Sequence, residues 1–173
     1  MFLDTAKGKI DAQPAERLTG IAPTADPVCY IIYMSGTTGN PKGVAIAHAS
    51  ICNFVRVASD LYGYLPGDRV YQGMTIAFDF SIEEIWVPLM AGATLAPARP
   101  GISLIGDELA DFLRERRVTC LACCPTLLAT IEQDLPQLRI LLVGGEACPQ
   151  NLVARWYRPG RTILNSYGPT EAT

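Results

Sequence analysis

The sequence predicts an α/β fold, a mostly parallel sheet flanked by helices. Three observations carry that prediction. Short apolar, β-branched or aromatic runs alternate with segments whose apolar residues recur at helical spacing. Turn signals punctuate the alternation, as at Leu65-Pro66-Gly67-Asp68 and Gly144-Gly145. The chain has 173 residues, enough for one domain with a real core. Strands alternating with helices are the mark of βαβ units, which bury a parallel sheet between helices.

The elements follow in order. Residues 1–27 are polar, contain proline and show little periodicity, so they read as a connector or a truncated edge. Val28 to Met34 is a β-branched and aromatic strand, and Val44 to Ala47 a second, short one. From Ala49 to Tyr62 the residues Ile51, Phe54, Val55, Ala58, Leu61 and Tyr62 fall on one helical face. Arg69 to Met74 reads as a strand. Ser81 to Met90 reads as a helix, with Ser81 as N-cap and Glu84 three residues on, the pattern of a capping box. Ala93 to Ala96 is a short strand. Leu104 to Arg116 is amphipathic, with Ile105, Leu109, Phe112 and Leu113 together. Val118 to Cys123 is a strand and Pro125 to Glu132 a helix with proline at its start. Leu138 to Val143, Pro149 to Tyr157 and Arg161 to Asn165 read as strand, helix and strand. Ligands in such sheets sit at the carboxyl ends of strands. The loops after Met34, Met74, Val143 and Asn165 are placed for that.

Composition excludes several classes of function. Net charge is -3 and no long basic run exists, which argues against nucleic acid as a partner. No stretch approaches the roughly 20 apolar residues of a membrane helix. The run from Ile85 to Ala98 is broken by Pro88 and Gly92, and Met1 to Asp11 lacks a signal-peptide pattern. Six cysteines without such a signal read as reduced thiols in a cytoplasmic protein. Cys120, Cys123 and Cys124 have no second pair to complete a metal site, and the sole histidine, His48, is distant in sequence. They read instead as a buried strand. Mean hydropathy is +0.20, more apolar than a free-standing domain needs, which suggests surface covered by protein outside this stretch.

The loop Ser35-Gly36-Thr37-Thr38-Gly39-Asn40-Pro41-Lys42-Gly43 carries the most chemistry. It sets three glycines, three hydroxyls and one lysine in nine residues, directly after an apolar run. Glycines let backbone N–H groups approach an anion, and Lys42 adds a point charge. The P-loop spacing fails, because Pro41 and Gly43 stand where it needs Gly and Ser or Thr.

That loop resembles the phosphate loop of the adenylate-forming enzymes: acyl-CoA synthetases, luciferases and the adenylation domains of nonribosomal peptide synthetases. Phe78-Asp79-Phe80-Ser81 and Asn165-Ser166-Tyr167-Gly168-Pro169-Thr170-Glu171 match two further family segments in the right order. Three ordered motifs are far more specific than one. The resemblance runs from about Val28 to the end. It implies that residues 28–173 are part of the large N-terminal core of an adenylation domain. It also implies a reaction in which a substrate carboxylate attacks the α-phosphate of ATP, with Mg2+, to give an acyl-adenylate and pyrophosphate. Bringing two anions together demands cations and N–H donors.

The resemblance assigns roles residue by residue. Ser35, Gly36, Thr37, Thr38, Gly39 and Lys42 match the loop over the β- and γ-phosphates. Thr170 matches the α-phosphate contact, Glu171 the magnesium ligand and Tyr167 the aromatic against adenine, with Gly168 between them. Lys42, Thr170 and Glu171 are thereby the catalytic candidates. Gly144, Gly145 and Glu146 resemble the segment lining the adenine site, and otherwise read as a strand-to-helix turn.

Asp79 divides the subfamilies. An aspartate among Phe78, Phe80 and Ile82 needs a partner if buried, or serves as a helix cap. In amino-acid-activating relatives the matching aspartate pairs with the substrate's α-ammonium group. Many acyl-CoA synthetases have histidine where this chain has Phe78. The substrate-pocket positions fall on Asp79, Phe80, Glu83, Thr126, Leu142, Gly144 and Ser166. Glu83 reads either as a solvent-facing helix residue or as a pocket carboxylate that wants a cation. The second reading favours a basic amino acid such as lysine or ornithine. The string from Phe78 to Trp86 also looks like that of lysine-polymer-type synthetases.

The resemblance stops at Thr173, before the family's ribose-binding aspartate, hinge and C-terminal lysine domain. The isolated stretch is therefore expected to be a weak catalyst, with the remainder of the domain as its partner. Three readings stand: part of an amino-acid-adenylating module that loads a phosphopantetheine carrier protein, part of an acyl-CoA or aryl-acid ligase, or a truncated nucleotide-binding relic.

Overall fold

The computed structural model describes residues 5–16, 27–35, 39–98 and 103–173. Its centre is a five-stranded sheet of β3 (Arg69–Gln72), β4 (Thr94–Pro97), β5 (Cys120–Cys123), β6 (Ile140–Gly144) and β7 (Thr162–Ser166), in the order β4-β3-β5-β6-β7. Every pairing in it is parallel. The expected α/β sheet is therefore present. The first two strands depart from it. β1 (Val28–Met34) and β2 (Lys42–Ala47) form a separate antiparallel pair, with Met34 opposite Lys42. Only seven residues separate them, too few for the crossover a parallel pair needs.

β5 and β6 are buried along their whole length. Alternate residues serve opposite faces. Leu121, Cys123, Leu141 and Val143 pack with Leu109, Leu113, Leu128, Leu152 and Trp156. Those five belong to α4 (Gly106–Glu115), α5 (Pro125–Thr130) and α6 (Gln150–Trp156). Val70, Cys120 and Ile140 meet Ala58 of α2 (His48–Tyr62) and Val87 of α3 (Phe80–Met90). The result is helices on both sides of the sheet. Cys120 and Cys123 are core residues, as a buried strand requires, and no metal-binding cluster is found among the described residues.

Polar groups buried at the rims are tied down. Asp68 accepts hydrogen bonds from Thr119 Oγ1, the Leu65 N–H and the Arg139 guanidinium. This clamps the turn before β3 to the starts of β5 and β6. At the far edge Arg161 donates to the carbonyls of Leu138 (2.8 Å), Trp156 (2.9 Å) and Leu135 (2.6 Å).

Several local expectations are corrected. The leading segment contains a short helix, α1 (Lys7–Asp11), which lysine–aspartate pairing at i,i+4 supports. α4 begins at Gly106, and Ile105 is exposed at its N-cap while Ala110 takes a core place. The capping box at α3 does not form. Ser81 lies inside the helix and its Oγ donates to the Phe78 carbonyl. Glu84 turns inward, where its carboxylate accepts from the N–H groups of Gly73 (3.0 Å) and Met74 (2.9 Å) and from Gln72 Nε2 (3.2 Å). A tertiary contact with the end of β3 has displaced the local one. No described helix is long and apolar enough to cross a membrane.

Candidate active site

β6 and β7 end side by side, with Gly144 opposite Ser166. A cavity of about 210 Å³ opens there, at the carboxyl edge of the sheet. α3 enters it from one side with Asp79, Phe80 and Glu83, and the chain from Tyr167 to Pro169 closes the other. Ile51 and Phe54 of α2 and Tyr30 of β1 supply apolar wall. Gly144 is required by close approach. A Cβ there would lie 2.8 Å from the Ser166 carbonyl oxygen and 3.4 Å from the Phe80 ring. Gly145 follows at φ +80, a left-handed turn that leads the chain off the sheet.

Two carboxylates face this cavity. Asp79 precedes the first residue of α3, but its side chain makes no capping hydrogen bond. It instead accepts from Thr170 Oγ1 at 2.5 Å. Thr170, near the end of the chain, is thus bound to the aspartate ninety-one positions earlier. Glu83 lies one turn further along α3. It is half-buried rather than solvent-facing, and it accepts from Tyr62 OH (2.9 Å) and from Ser166 Oγ (3.1 and 3.4 Å). Burial pushes the Glu83 carboxyl above the usual carboxylate range; those two donors pull it back, and the Asp79 charge adds to the rise. A half-buried carboxylate of this kind gains from a cation beside it.

The remaining sequence candidates divide. Tyr167 and Gly168 line the cavity, with Tyr167 96% exposed and free to take a flat ligand on its ring. Leu142 is buried within β6, and neither it nor Thr126 lines the cavity. Thr126 and Glu146 bond to one another: the Thr126 N–H and Oγ1 donate to the Glu146 carboxylate at 3.2 and 3.0 Å. Glu146 thereby sits at the N-terminus of α5, where a negative charge is favoured. Ser35 and Lys42 are exposed on either side of the glycine-rich loop, and Gly39 adopts φ +88. Gly36, Thr37 and Thr38 lie outside the described residues. A single turn of 3₁₀ helix (Thr170–Ala172) packs against β2, which brings the strand of Lys42 to the segment of Glu171. Glu171 is exposed, a hard oxygen ligand suited to Mg2+.

A family model described as AMP-binding enzyme matches residues 2–173. This chain belongs to the AMP-binding enzyme family. Within that family it is similar to nonribosomal peptide synthetases. It is 45% identical over 150 residues to the delta-poly-L-ornithine synthetase of Acinetobacter baumannii, covering 87% of this chain and 11% of that protein. It is 39% identical over 172 residues to the chondramide synthase cmdD of Chondromyces crocatus, covering 99% of this chain and 4% of that one. The chain thus spans a small part of these curated relatives. Among solved structures, the Vibrio cholerae adenylation domain AlmE, in complex with glycyl-adenosine-5'-phosphate, matches with a TM-score of 0.77 at 26% identity. That match covers 88% of this chain and 30% of AlmE. The nonribosomal peptide synthetase FmoA3 in its AMPPNP-bound form matches with a TM-score of 0.75 at 33% identity, over 84% of this chain and 16% of that one.

Sequence reasoning missed two residues that support this site from behind, Tyr62 through Glu83 and Glu84 through the turn after β3. Tyr62 ends α2 at a position that reads as ordinary helix face, and nothing local links it to Glu83, twenty-one residues on. Glu84 reads locally as half of a capping box. Its lack of exposure is a property of packing, which the i,i+3 spacing does not encode.

Proposed function

We propose that this chain carries the amino-acid end of an adenylate-forming site. The reaction is ATP-dependent activation of an amino acid carboxylate as the aminoacyl-adenylate, with release of pyrophosphate. A phosphopantetheine carrier thiol then receives the acyl group. The observation that carries the proposal is the placement of Asp79, just before α3, and Glu83, one turn further along it, facing one cavity. A diamino acid has two ammonium groups at its two ends. Asp79 takes the α-ammonium and Glu83 the side-chain ammonium, so a neutral side chain leaves Glu83 without a countercharge. Similarity to a polyornithine synthetase supports the same substrate class.

The nucleotide side follows from the residues present. Lys42 places a positive charge beside the β- and γ-phosphates, and the Thr170 hydroxyl, which donates to Asp79 here, turns to the α-phosphate when the α-ammonium takes its place on Asp79. Tyr167 presents its ring to adenine. Glu171 would hold Mg2+, which when bound supplies the charge neutralisation that the triphosphate needs. Ser35, Gly36, Thr37, Thr38 and Gly39 complete the phosphate loop, and Gly144 and Gly145 leave room at the base of the adenine site.

The test is ATP–pyrophosphate exchange by the full-length protein with ornithine, lysine, leucine and phenylalanine. Ornithine or lysine is expected to give the highest kcat/KM, and Glu83→Gln to lower it by roughly 100-fold, with a far smaller effect on leucine. A preference for leucine or phenylalanine overturns the substrate class. Nucleotide binding with no exchange for any amino acid overturns adenylate formation itself.

A further inference from the structure

Tyr62 is absent from the cavity wall. It stands behind Glu83, at the last residue of α2, and donates its hydroxyl to Glu83 Oε2 at 2.9 Å. Ser166, on β7, donates to Oε1 of the same carboxylate at 3.1 Å. Two donors from two separate elements therefore hold the two oxygens. A glutamate side chain has three rotatable torsions, and a carboxylate without such anchors turns toward water. Tyr64, two residues on, stacks edge-on against Tyr62 at 6.3 Å, and its own buried hydroxyl has no hydrogen-bond partner among the described residues.

We propose that Tyr62 is a positioning residue for substrate selection: its hydroxyl aims the Glu83 carboxylate into the cavity and so sets the discrimination between cationic and neutral side chains. The inference rests on the diamino acid reading given above. Tyr62 never touches substrate; it acts on the orientation and charge of a group that does.

The groups facing Glu83 are Tyr62 and Tyr64 from α2 and the turn after it, Asp79 from the start of α3, and Ser166 from β7. Its neighbour Glu84 points away, to the end of β3. Burial raises the Glu83 carboxyl, and donation by Tyr62 lowers it. Burial and the Glu83 charge together raise the Tyr62 phenol, which keeps it a protonated donor at neutral pH. Removing the hydroxyl takes away one lowering influence. Glu83 then protonates at higher pH, and the acid limb of activity toward a cationic substrate shifts upward. A neutral side chain makes no use of the Glu83 charge, so the pH profile for leucine does not move with Tyr62.

The experiment compares wild type, Tyr62→Phe, Glu83→Gln and the double variant in the full-length protein, by pyrophosphate exchange from about pH 5.5 to 8.5 with ornithine, lysine and leucine. Tyr62→Phe is expected to raise KM for ornithine roughly five- to twenty-fold with kcat within about two-fold, the loss of one hydrogen bond to a charged group. Its acid limb moves to higher pH, and KM for leucine stays within about two-fold. In the Glu83→Gln background the same change has little further effect, because the group it positions is gone. Wild type preferring ornithine or lysine, with Tyr62→Phe unaltered in KM and acid limb, overturns this inference alone. Wild type preferring leucine overturns the diamino acid reading and this inference with it. A Tyr62→Phe protein that loses kcat for every amino acid alike makes the hydroxyl a structural group and likewise overturns the proposal.

Discussion

Glu84→Gln is the substitution whose consequence can be worked furthest. Glu84 is 0% exposed, and its carboxylate is the acceptor for the Gly73 and Met74 N–H groups and for Gln72 Nε2. Burial raises its pKa from an ordinary 4.5 to about 7, against the pull of those three donors. A raised folded-state pKa in an acid has a definite sign. Below pH 4.5 the group is protonated folded and unfolded, and stability is intact. Between pH 4.5 and 7 only the unfolded chain releases the proton, so stability falls by about 1.4 kcal/mol per pH unit. The whole loss, complete above pH 7, is about 3 kcal/mol. Glutamine cannot ionise, so the variant lacks this slope. Near pH 4.5 the variant should be the less stable by about 1 to 3 kcal/mol, since the amide NH2 cannot accept from the N–H group it faces, whereas the hydroxyl oxygen of the protonated acid can. At about pH 8 wild type should have lost about 3 kcal/mol relative to the variant. Amide hydrogen exchange of β5 and β6, whose opening follows global unfolding, reads this in the full-length protein once intrinsic exchange rates are divided out. Parallel stability curves across this range would refute the reasoning and show that the three donors outweigh burial.

Three other substitutions test the frame around the site. Arg161→Ala strips the donor from the carbonyls of Leu135, Leu138 and Trp156, so a loss of about 3 to 5 kcal/mol is expected, seen as a fall in thermal midpoint. Arg117 holds φ 52 just after α4, where the Val118 and Arg117 N–H groups bond back to Leu113 and Arg114. Glycine suits that left-handed position better, so Arg117→Gly should stabilise by about 0.5 to 1 kcal/mol in the same measurement. Gly144→Ala sets a methyl 2.8 Å from the Ser166 carbonyl, where backbone must move. It should cost about 1 to 3 kcal/mol and raise KM for the amino acid, because Ser166 is one of the two anchors of Glu83.

The sheet was legible because its signal is local. The runs at β5 and β6 are apolar throughout, and such strands can only be buried on both faces. The hairpin of β1 and β2 was legible as two strands, and the seven residues between them exclude a parallel crossover, but its separation from the main sheet is set by long-range packing. The site divides along the same line. Asp79, Ser166 and Thr170 sit in contiguous motifs, and the structure brings all three to one corner. The bond between Thr170 and Asp79, and that between Tyr62 and Glu83, join residues far apart in sequence. No spacing rule reaches across such gaps.

Adjacent residues on α3 show how one helix start serves two purposes. Successive helix positions are about 100° apart, so Glu83 and Glu84 cannot face the same way. Glu84 points to the end of β3 and holds the Gln72–Met74 turn, which leads into Phe78 and Asp79. Glu83 points into the cavity, where Tyr62 and Ser166 hold it. One carboxylate fixes where the helix begins; the other uses that fixed position to present a charge. Each is raised by burial, but only Glu83 lines the cavity at the ends of β6 and β7. Neutralising Glu84 should therefore change stability and its pH dependence, whereas neutralising Glu83 should change which amino acid is activated. If the two substitutions exchanged those effects, the assignment of the cavity to the amino acid would be wrong.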